Sequence, residues 1–294
     1  MKAKHRFLQK KTCLRCGEQL LDLATPVVMG ILNVTPDSFF AGSRASTADA
    51  VAAHVYRMLV EGAAIVDVGA CSTRPGADEV SPTEELRRLC PALEVVRGKF
   101  PQVVVSVDTF RAEVVREVVA QFGAVIVNDI SGGQRDEKMF ETVARLSLPY
   151  VLMHTRGTPQ TMQQLTDYGD LMGEVVRYLS EKLSALHGMG VCDVILDPGF
   201  GFAKTTGQNF ELLSRMEEFD IFELPLLAGL SRKSMVCRTL NVTPAEALNG
   251  TTALNMLALA KGADILRVHD VKEAAEAVAL AAAAGVAAAP QACS

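Results

Sequence analysis

Polar side chains at the ends of apolar runs are the residues of this sequence that could do chemistry. Ten residues have this placement: Asn33, Asp67, Asp108, Asn128, Asp129, His154, Asp197, Lys233, Arg267 and His269. Asp108, Asn128 and Asp197 offer carboxylates and an amide, and one carboxylate can accept two N–H donors at once. This set matches a planar heterocycle rich in N–H donors. Lys233 and the neighbouring Ser234 add donors for acceptors on the same ring.

A second group has the composition of a phosphate site. Arg267 and His269 are two positions apart in an apolar run, so a strand would point both side chains to one face. With Asn33 and Arg74 they would form a corner of cationic and amide groups. A Mg²⁺ ion at such a corner would keep several waters and bind the ligand's own phosphates, so it would need few protein ligands. We therefore expect a phosphate-bearing ligand here.

The remaining polar candidates favour structural roles. Asp67 and Asp129 are predicted to be structural, since an aspartate that ends a strand is often a helix cap or an ion-pair partner. Cys71 has the chemistry of a nucleophile, but its local sequence offers no base to activate it. Cys13 and Cys16 have the spacing of half a zinc site, yet no second such pair follows. We predict a turn with two thiols at residues 13–17.

Eight apolar runs of strand length alternate with segments of helical periodicity. They cover residues 27–33, 64–69, 103–108, 124–129, 150–154, 194–197, 224–230 and 264–270. Near-continuous apolar runs are typical of parallel strands buried on both faces. Their regular spacing predicts an α/β fold, a (β/α)8 TIM barrel whose strand ends converge on its C-terminal face. A doubly wound open sheet is the alternative, but no dinucleotide fingerprint follows the first run and no P-loop is present.

The length of 294 residues suits one large α/β domain or two small ones, and the repeat of eight strands favours a single barrel domain. We predict a leader over residues 1–26, the barrel over 27–284 and an Ala-rich tail over 285–294.

A net charge of −5 argues against a nucleic-acid partner, which needs a basic surface. The N-terminal stretch lacks the apolar segment of a signal peptide, and no strongly apolar run reaches membrane-spanning length. Seven scattered cysteines fit a reducing compartment, so we expect a cytoplasmic location with no membrane contact.

Eight short motifs give the chain a family resemblance. They are MGILNVTPDSF at 29–39, STRPG at 72–76, SVDT at 106–109, NDI at 128–130, LMH at 152–154, LDPGFGF at 196–202, SRKS at 231–234 and RVHD at 267–270. In this order they closely resemble the dihydropteroate synthase family, and the match runs from about residue 27 to 275. Any one motif is moderate support, whereas all eight in order are strong support.

The resemblance implies a transferase of folate biosynthesis that is a sulfonamide target. It would join p-aminobenzoate to 6-hydroxymethyl-7,8-dihydropterin diphosphate and release pyrophosphate, with Mg²⁺ as cofactor and a homodimer as the assembly. The implied pterin site consists of Asp108, Asn128, Met153, Asp197, Phe202 and Lys233. The implied catalytic residues are Asn33, Arg74, Lys233, Arg267 and His269, with Asn33 also a metal ligand. The implied p-aminobenzoate pocket is bordered by Phe39, Thr73, Pro75 and Ser234.

Two departures from the family pattern keep alternatives open. The family has Ser-Asp-Gly-Gly after the phenylalanine of the first loop, where this chain has Ala41 and Gly42, and it has a glutamate where this chain has Cys71. These changes motivate a non-catalytic paralogue that binds pterin without turnover. A pterin-binding methyltransferase acting on a corrinoid protein is a second alternative, but it has no use for the phosphate corner.

Residues 35–46 and 70–81 are expected to close over the reaction, because water would trap a cationic pterin.

Overall fold

The computed structural model describes residues 10–35, 44–71 and 80–287. Eight parallel strands form a single sheet, and an isolated bridge between Leu196 and Leu226 joins its two edges into a barrel. The strands are β3 (Val27–Asn33), β4 (Ala63–Gly69), β5 (Val104–Asp108), β6 (Ile126–Asp129), β7 (Tyr150–Met153), β8 (Val194–Asp197), β9 (Leu227–Ala228) and β10 (Ile265–Val268). The predicted (β/α)8 barrel is confirmed.

Helices cover the outside of the barrel. Within the described residues they are α1 (Arg44–Val60), α2 (Pro82–Lys99), α3 (Ala112–Phe122), α4 (Met139–Leu146), α5 (Leu171–Gly188), α6 (Thr206–Ser214), α7 (Ser234–Leu240), α8 (Leu248–Ala260) and α9 (Val271–Ala283). Two 3-10 helices, Met162–Gln164 and Met216–Phe222, lie in the connections. None of the described helices is long and apolar enough to cross a membrane.

The seventh strand is much shorter than the predicted run over residues 224–230. Only Leu227 and Ala228 pair as a strand, although Leu226 makes the isolated bridge to Leu196. Pro225 has no N–H to donate to a ladder, and it contributes its carbonyl oxygen to the Leu196 N–H at 2.8 Å. The apolar run therefore serves the barrel wall with its side chains rather than with a long ladder.

The lower interior of the barrel is a layer to which every strand contributes one buried side chain. Its members are Met29, Ile65, Val104, Ile126, Val151, Ile195, Leu227 and Ile265. Since side chains alternate across a strand, the neighbouring residues point outward and pack under the helices. The inner layer thus separates the bottom of the barrel from the polar residues at its top.

A β-hairpin closes the bottom of the barrel, where the sequence predicts a turn. Residues 13–16 form β1 (Cys13–Cys16), which pairs with β2 (Gln19–Asp22), and the turn instead begins at Gly17, whose φ of 63° favours glycine. The prediction of a turn over the two cysteines is wrong because Leu14 and Cys16 alternate inward and pack on the layer defined above. Lys11 fixes the preceding segment through an ion pair with Asp193 at 2.5 Å.

We expect Leu14→Ala to lower the free energy of unfolding by about 2–5 kcal/mol, since it leaves a cavity beneath the barrel. Leu14 is only 1% exposed. Urea denaturation followed by circular dichroism measures the change. Leu20→Ala is the matched control because Leu20 lies in the same hairpin and is 70% exposed. Equal stabilities of the two variants would contradict the packing of the hairpin against the bottom of the barrel.

Candidate active site

The C-terminal strand ends bring an arginine and two aspartates into one cluster. Arg267 on β10 places its Nη2 atom 2.6 Å from Oδ2 of Asp67 and 2.8 Å from Oδ2 of Asp108. Asn128 donates from Nδ2 to Asp67 Oδ2 at 3.1 Å. Asp108 and Asn128 are register partners on β5 and β6, so their side chains leave neighbouring strands at the same height. The predicted ring-binding residues Asp108 and Asn128 are therefore adjacent.

Asp67 has a larger part in this cluster than the sequence indicates. It is fully buried and contacts protein groups, which agrees with the predicted structural role. Those groups are Asn128 and Arg267, so Asp67 orients two of the site residues. Asp129 is structural in a separate way, because it accepts the N–H groups of Ser131 and Gly133 at 2.7 and 2.9 Å.

Burial and like charge shape the electrostatics of the cluster. Burial raises the pKa of Asp108 above the usual carboxyl range, Arg267 opposes this and the nearby Asp67 adds to it. Burial by itself would lower the pKa of Arg267, but the Asp67 and Asp108 carboxylates raise it above its ordinary value. Arg267 is therefore a permanent cation that keeps two buried carboxylates together.

Asp197 and Lys233 are a second set of opposite charges at the barrel mouth. Burial raises the pKa of Asp197, and the Lys233 ammonium opposes that rise. Burial lowers the pKa of Lys233 to about 8, with Asp197 acting in the other direction. Asp197 Oδ1 accepts the Gly199 N–H at 2.7 Å, which leaves Oδ2 as an acceptor for a ligand. This arrangement offers an anionic acceptor beside a cationic donor.

The segment before α7 directs Lys233 into the barrel. Arg232 has a left-handed φ of 55°, and its guanidinium donates to both Asp270 carboxylate oxygens at 2.6 and 2.8 Å. Lys233 then donates to the Phe200 carbonyl oxygen, and its Nζ lies 5.0 Å from the centre of the Phe202 ring. Ser234, predicted to border a second pocket, is the exposed first residue of α7.

Asn33 and His269 occupy the exposed ends of β3 and of the segment after β10. His269 has its Nδ1 atom 3.0 Å from Ser231 Oγ, and its backbone N–H donates to the same oxygen at 3.2 Å. Ser231 was not among the predicted site residues, although it opens the SRKS motif that contains Lys233. These contacts with Ser231 hold the His269 ring in place at the barrel mouth.

Of the remaining predicted residues, two lie in the described part of the chain and four lie outside it. Met153 ends β7 as the register partner of Asp197 and is 2% exposed, and Phe202 is half-buried above Lys233. Four predicted residues lie outside the described residues, so their placement stays a prediction: Phe39, Thr73, Arg74 and Pro75.

Cys71 has the electrostatics of an unreactive thiol. Burial, followed by the negative charge of Glu85, raises its pKa to about 12. Because the thiolate is the nucleophilic form, almost none is present near neutral pH. This agrees with the interpretation that Cys71 is not a nucleophile.

The comparison with known protein families decides the class of this site. The sequence profile described as "Pterin binding enzyme" matches residues 29–269, which span all eight barrel strands and the cluster above. The chain belongs to this pterin-binding enzyme family. Its membership agrees with the ring-binding chemistry expected for Asp108, Asn128 and Asp197.

Curated relatives of the chain include dihydropteroate synthases. The chain is 49% identical to the dihydropteroate synthase of Escherichia coli strain K12 over 261 residues, covering 88% of this chain and 91% of the relative. It is 44% identical to that of a Synechocystis strain over 267 residues, covering 90% of this chain and 92% of the relative. These high coverages extend the likeness to the whole length of the relatives.

Solved structures of family members have the same fold. Yersinia pestis dihydropteroate synthase in complex with a sulfonamide drug has a TM-score of 0.86 and 44% identity, covering 93% of this chain and 99% of that chain. Xanthomonas albilineans dihydropteroate synthase with 4-aminobenzoic acid has a TM-score of 0.85 and 38% identity, covering 93% of this chain and 98% of that chain. The barrel is thus that of the family.

Proposed function

We propose that this protein is a transferase that catalyses the dihydropteroate synthase reaction. It joins p-aminobenzoate to 6-hydroxymethyl-7,8-dihydropterin diphosphate and releases pyrophosphate. The observation that carries the proposal is a single barrel mouth with two kinds of recognition groups. Buried acceptors for a pterin ring, Asp108, Asn128 and Asp197, lie beside the cations Lys233 and Arg267. The curated relatives with this name support it.

Asp197 and Lys233 provide the main recognition of the pterin ring in this proposal. The free Asp197 oxygen accepts ring N–H donors, and the Lys233 ammonium donates to a ring nitrogen or carbonyl oxygen. Both groups are held before the ligand arrives, since Asp197 accepts the Gly199 N–H and Lys233 donates to the Phe200 carbonyl. Such preorganisation lowers the entropic cost of binding.

Asn33, Arg267 and His269 are proposed to engage the diphosphate, together with Arg74. When the C–O bond at the pterin methylene breaks, its electron pair leaves with pyrophosphate, and these donors stabilise the developing charge. The lone pair of the arylamine then forms the new C–N bond, and the resulting ammonium nitrogen gives its proton to the released pyrophosphate or to water. An arylamine is neutral at pH 7, so the attack itself requires no general base.

The protein groups fit a Mg²⁺ ion that depends mainly on substrate phosphates. Among the described residues no group of three or more His, Cys, Asp or Glu side chains could hold a metal. Asn33 offers an amide oxygen at the exposed end of β3, and Mg²⁺ commonly combines few protein oxygens with phosphates and waters. We propose Asn33 as its protein ligand, and the bound ion would neutralise charge on the leaving diphosphate.

The decisive experiment measures pyrophosphate release in a coupled assay with both substrates and Mg²⁺. We expect turnover that requires p-aminobenzoate and yields 7,8-dihydropteroate, identified by mass spectrometry. Binding of the pterin diphosphate without pyrophosphate release would instead support the non-catalytic paralogue. Transfer of a methyl group to a corrinoid protein would support the methyltransferase. Either result would overturn the proposal.

We expect p-aminobenzoate and sulfonamides to bind appreciably only when pyrophosphate and Mg²⁺ are present. The reason is that exclusion of water should precede attack on an electrophilic pterin, so the second pocket forms late. Titration of p-aminobenzoate into the pterin-bound protein, with and without pyrophosphate and Mg²⁺, measures this. Phe39→Ala should weaken both ligands while it leaves pterin affinity unchanged. Equally tight binding without pyrophosphate would show a preformed pocket.

A cytoplasmic homodimer is the proposed assembly. Light scattering of the purified protein tests the dimer, and cell fractionation tests the compartment. A monomer at micromolar concentration would contradict the assembly without affecting the proposed reaction.

A further inference from the structure

A buried lysine that the proposed reaction does not use lies beneath the loop that follows β8. We call this connection between β8 and α6 the 198–205 loop. Lys204 is 4% exposed, and its side chain turns back to donate to the carbonyl oxygen of Gly199 in its own loop. Burying an ammonium is costly unless its donors are satisfied, so the contacts of Lys204 should reveal its role.

Three acceptors surround the Lys204 ammonium. Nζ donates to the carbonyl oxygens of Gly199 and Phe202 at 2.9 and 3.1 Å, and it lies 2.9 Å from Nδ1 of His154. A lysine ammonium has three N–H donors and no acceptor. In the ammonium form all three donors are used, and two of the bonds go to carbonyl oxygens of the 198–205 loop. Burial lowers the pKa of Lys204 to about 7, and the Asp197 carboxylate opposes this shift.

His154 completes the cluster as a neutral acceptor. It is 1% exposed, and burial followed by the positive charges of Lys204 and Arg156 lowers its pKa to about 2. A neutral imidazole has one acceptor nitrogen, and the Lys204 ammonium occupies it at Nδ1. The ring is fixed by an edge contact with Tyr178, with 4.9 Å between the ring centres. His154 follows β7, so the cluster ties the 198–205 loop to a neighbouring strand.

Lys204 is one of several groups that hold this loop, along with Asn209, which accepts the Gly201 N–H, and Tyr168, which donates to the Ala203 carbonyl. Gly199 has a φ of 74°, and a side chain there would collide with the carbonyl oxygen of His154. At this close approach the Lys204 ammonium contacts both segments, through the Gly199 carbonyl oxygen and the His154 ring nitrogen. Lys233 also donates to this loop, at the Phe200 carbonyl oxygen. Two lysine side chains therefore donate to carbonyl oxygens of the loop.

Two groups of the pterin site are carried by the same loop. Phe202, whose carbonyl binds Lys204, presents its ring to Lys233. Gly199, whose carbonyl also binds Lys204, donates its N–H to Asp197 Oδ1. Displacement of the Gly199 and Phe202 carbonyls would therefore move the ring and remove the bond that orients the Asp197 carboxylate.

We propose that Lys204, completed by His154, is a positioning residue for pterin binding. It sets the Phe202 ring and the Asp197 carboxylate through the backbone of the 198–205 loop and does not contact the ligand. This inference rests on the proposed pterin site. It predicts that loss of the ammonium weakens the pterin specifically, whereas a purely structural lysine would affect only stability.

The test compares Lys204→Met with wild type by isothermal titration with 6-hydroxymethylpterin and by steady-state kinetics. We expect the pterin Kd and KM to rise at least about tenfold, the cost of one or two misplaced hydrogen bonds. The kcat value should fall no more than about threefold. Lys272→Met is the matched control because it removes a lysine whose side chain is 66% exposed on α9. It should bind pterin as wild type does.

A second pair of variants keeps the test decisive if Lys204→Met does not fold. His154→Leu removes the acceptor, whereas His154→Gln keeps one at a similar distance. We expect weakened pterin binding in His154→Leu and recovery to within about threefold of wild type in His154→Gln, since only one hydrogen bond differs. Wild-type affinity in folded Lys204→Met, or equal losses in the two His154 variants, would overturn the inference. Absence of pterin binding by the wild-type protein would contradict the proposed function instead.

Discussion

Asp197→Ala is expected to weaken pterin binding at least about 100-fold, because charge-assisted hydrogen bonds contribute about 1.5–3 kcal/mol each. Asp197 is buried at the end of β8. In the variant, a ligand N–H group would lose water on entering this site without gaining an acceptor, which is costly. Its Oδ1 atom already accepts the Gly199 N–H, so the variant also loses a contact that orders the 198–205 loop. Isothermal titration with 6-hydroxymethylpterin measures the loss.

Asp197→Asn separates the charge from the loop contact. The amide oxygen can still accept the Gly199 N–H, but the amide offers the ligand a donor where a charged acceptor is needed. We therefore expect Asp197→Asn to bind nearly as weakly as Asp197→Ala. Asp193→Ala is a control from the opposite end of the same barrel segment, where Asp193 pairs with Lys11. Unchanged pterin affinity in folded Asp197→Ala would remove Asp197 from the site.

Arg267→Ala is expected to lower kcat/KM about a thousandfold. Removing one partner of a buried ion pair costs about 3–5 kcal/mol, and loss of a donor to a leaving oxyanion costs about 100-fold to 1,000-fold in rate. The sequence resemblance assigns Arg267 to the diphosphate alone, which implies normal binding of a pterin that lacks it. The contact with Asp108 changes that expectation, because Asp108 loses the cation that opposes the rise of its pKa caused by burial.

Two measurements separate the roles of Arg267. First, titrations with pterins that carry or lack the diphosphate should both show weakening, and the diphosphate ligand should lose more. Second, removal of the cation raises the pKa of Asp108, so pterin affinity in Arg267→Ala should increase as pH rises and the carboxyl loses its proton. Arg267→Lys should recover part of the affinity, and Arg215→Ala is a control on the exposed surface. Full affinity for the diphosphate-free pterin would show that Arg267 serves the diphosphate only.

The sequence alone determined the barrel and the chemical type of its mouth. Apolar runs that repeat at regular intervals are a local signal, and parallel strands in a barrel must all end at one face. Asp108, Asn128, Asp197, Lys233 and Arg267 could therefore be assigned to one site without coordinates. Their residue types also indicated a ring with N–H donors beside an anionic group.

Only the tertiary structure decided which of these groups bind one another. Asp67 and Arg267 are 200 residues apart, and Asp108 and Arg267 are 159 apart, so no local pattern reveals these ion pairs. Lys204 is one lysine at the end of a glycine-containing loop, and its burial against His154 depends on the close approach of β7 and β8. The hairpin at residues 13–22 likewise gained its place only from the apolar layer at the bottom of the barrel. In each case the contact is stabilised by burial and by a partner that is distant along the chain. Only the folded chain brings that partner within reach.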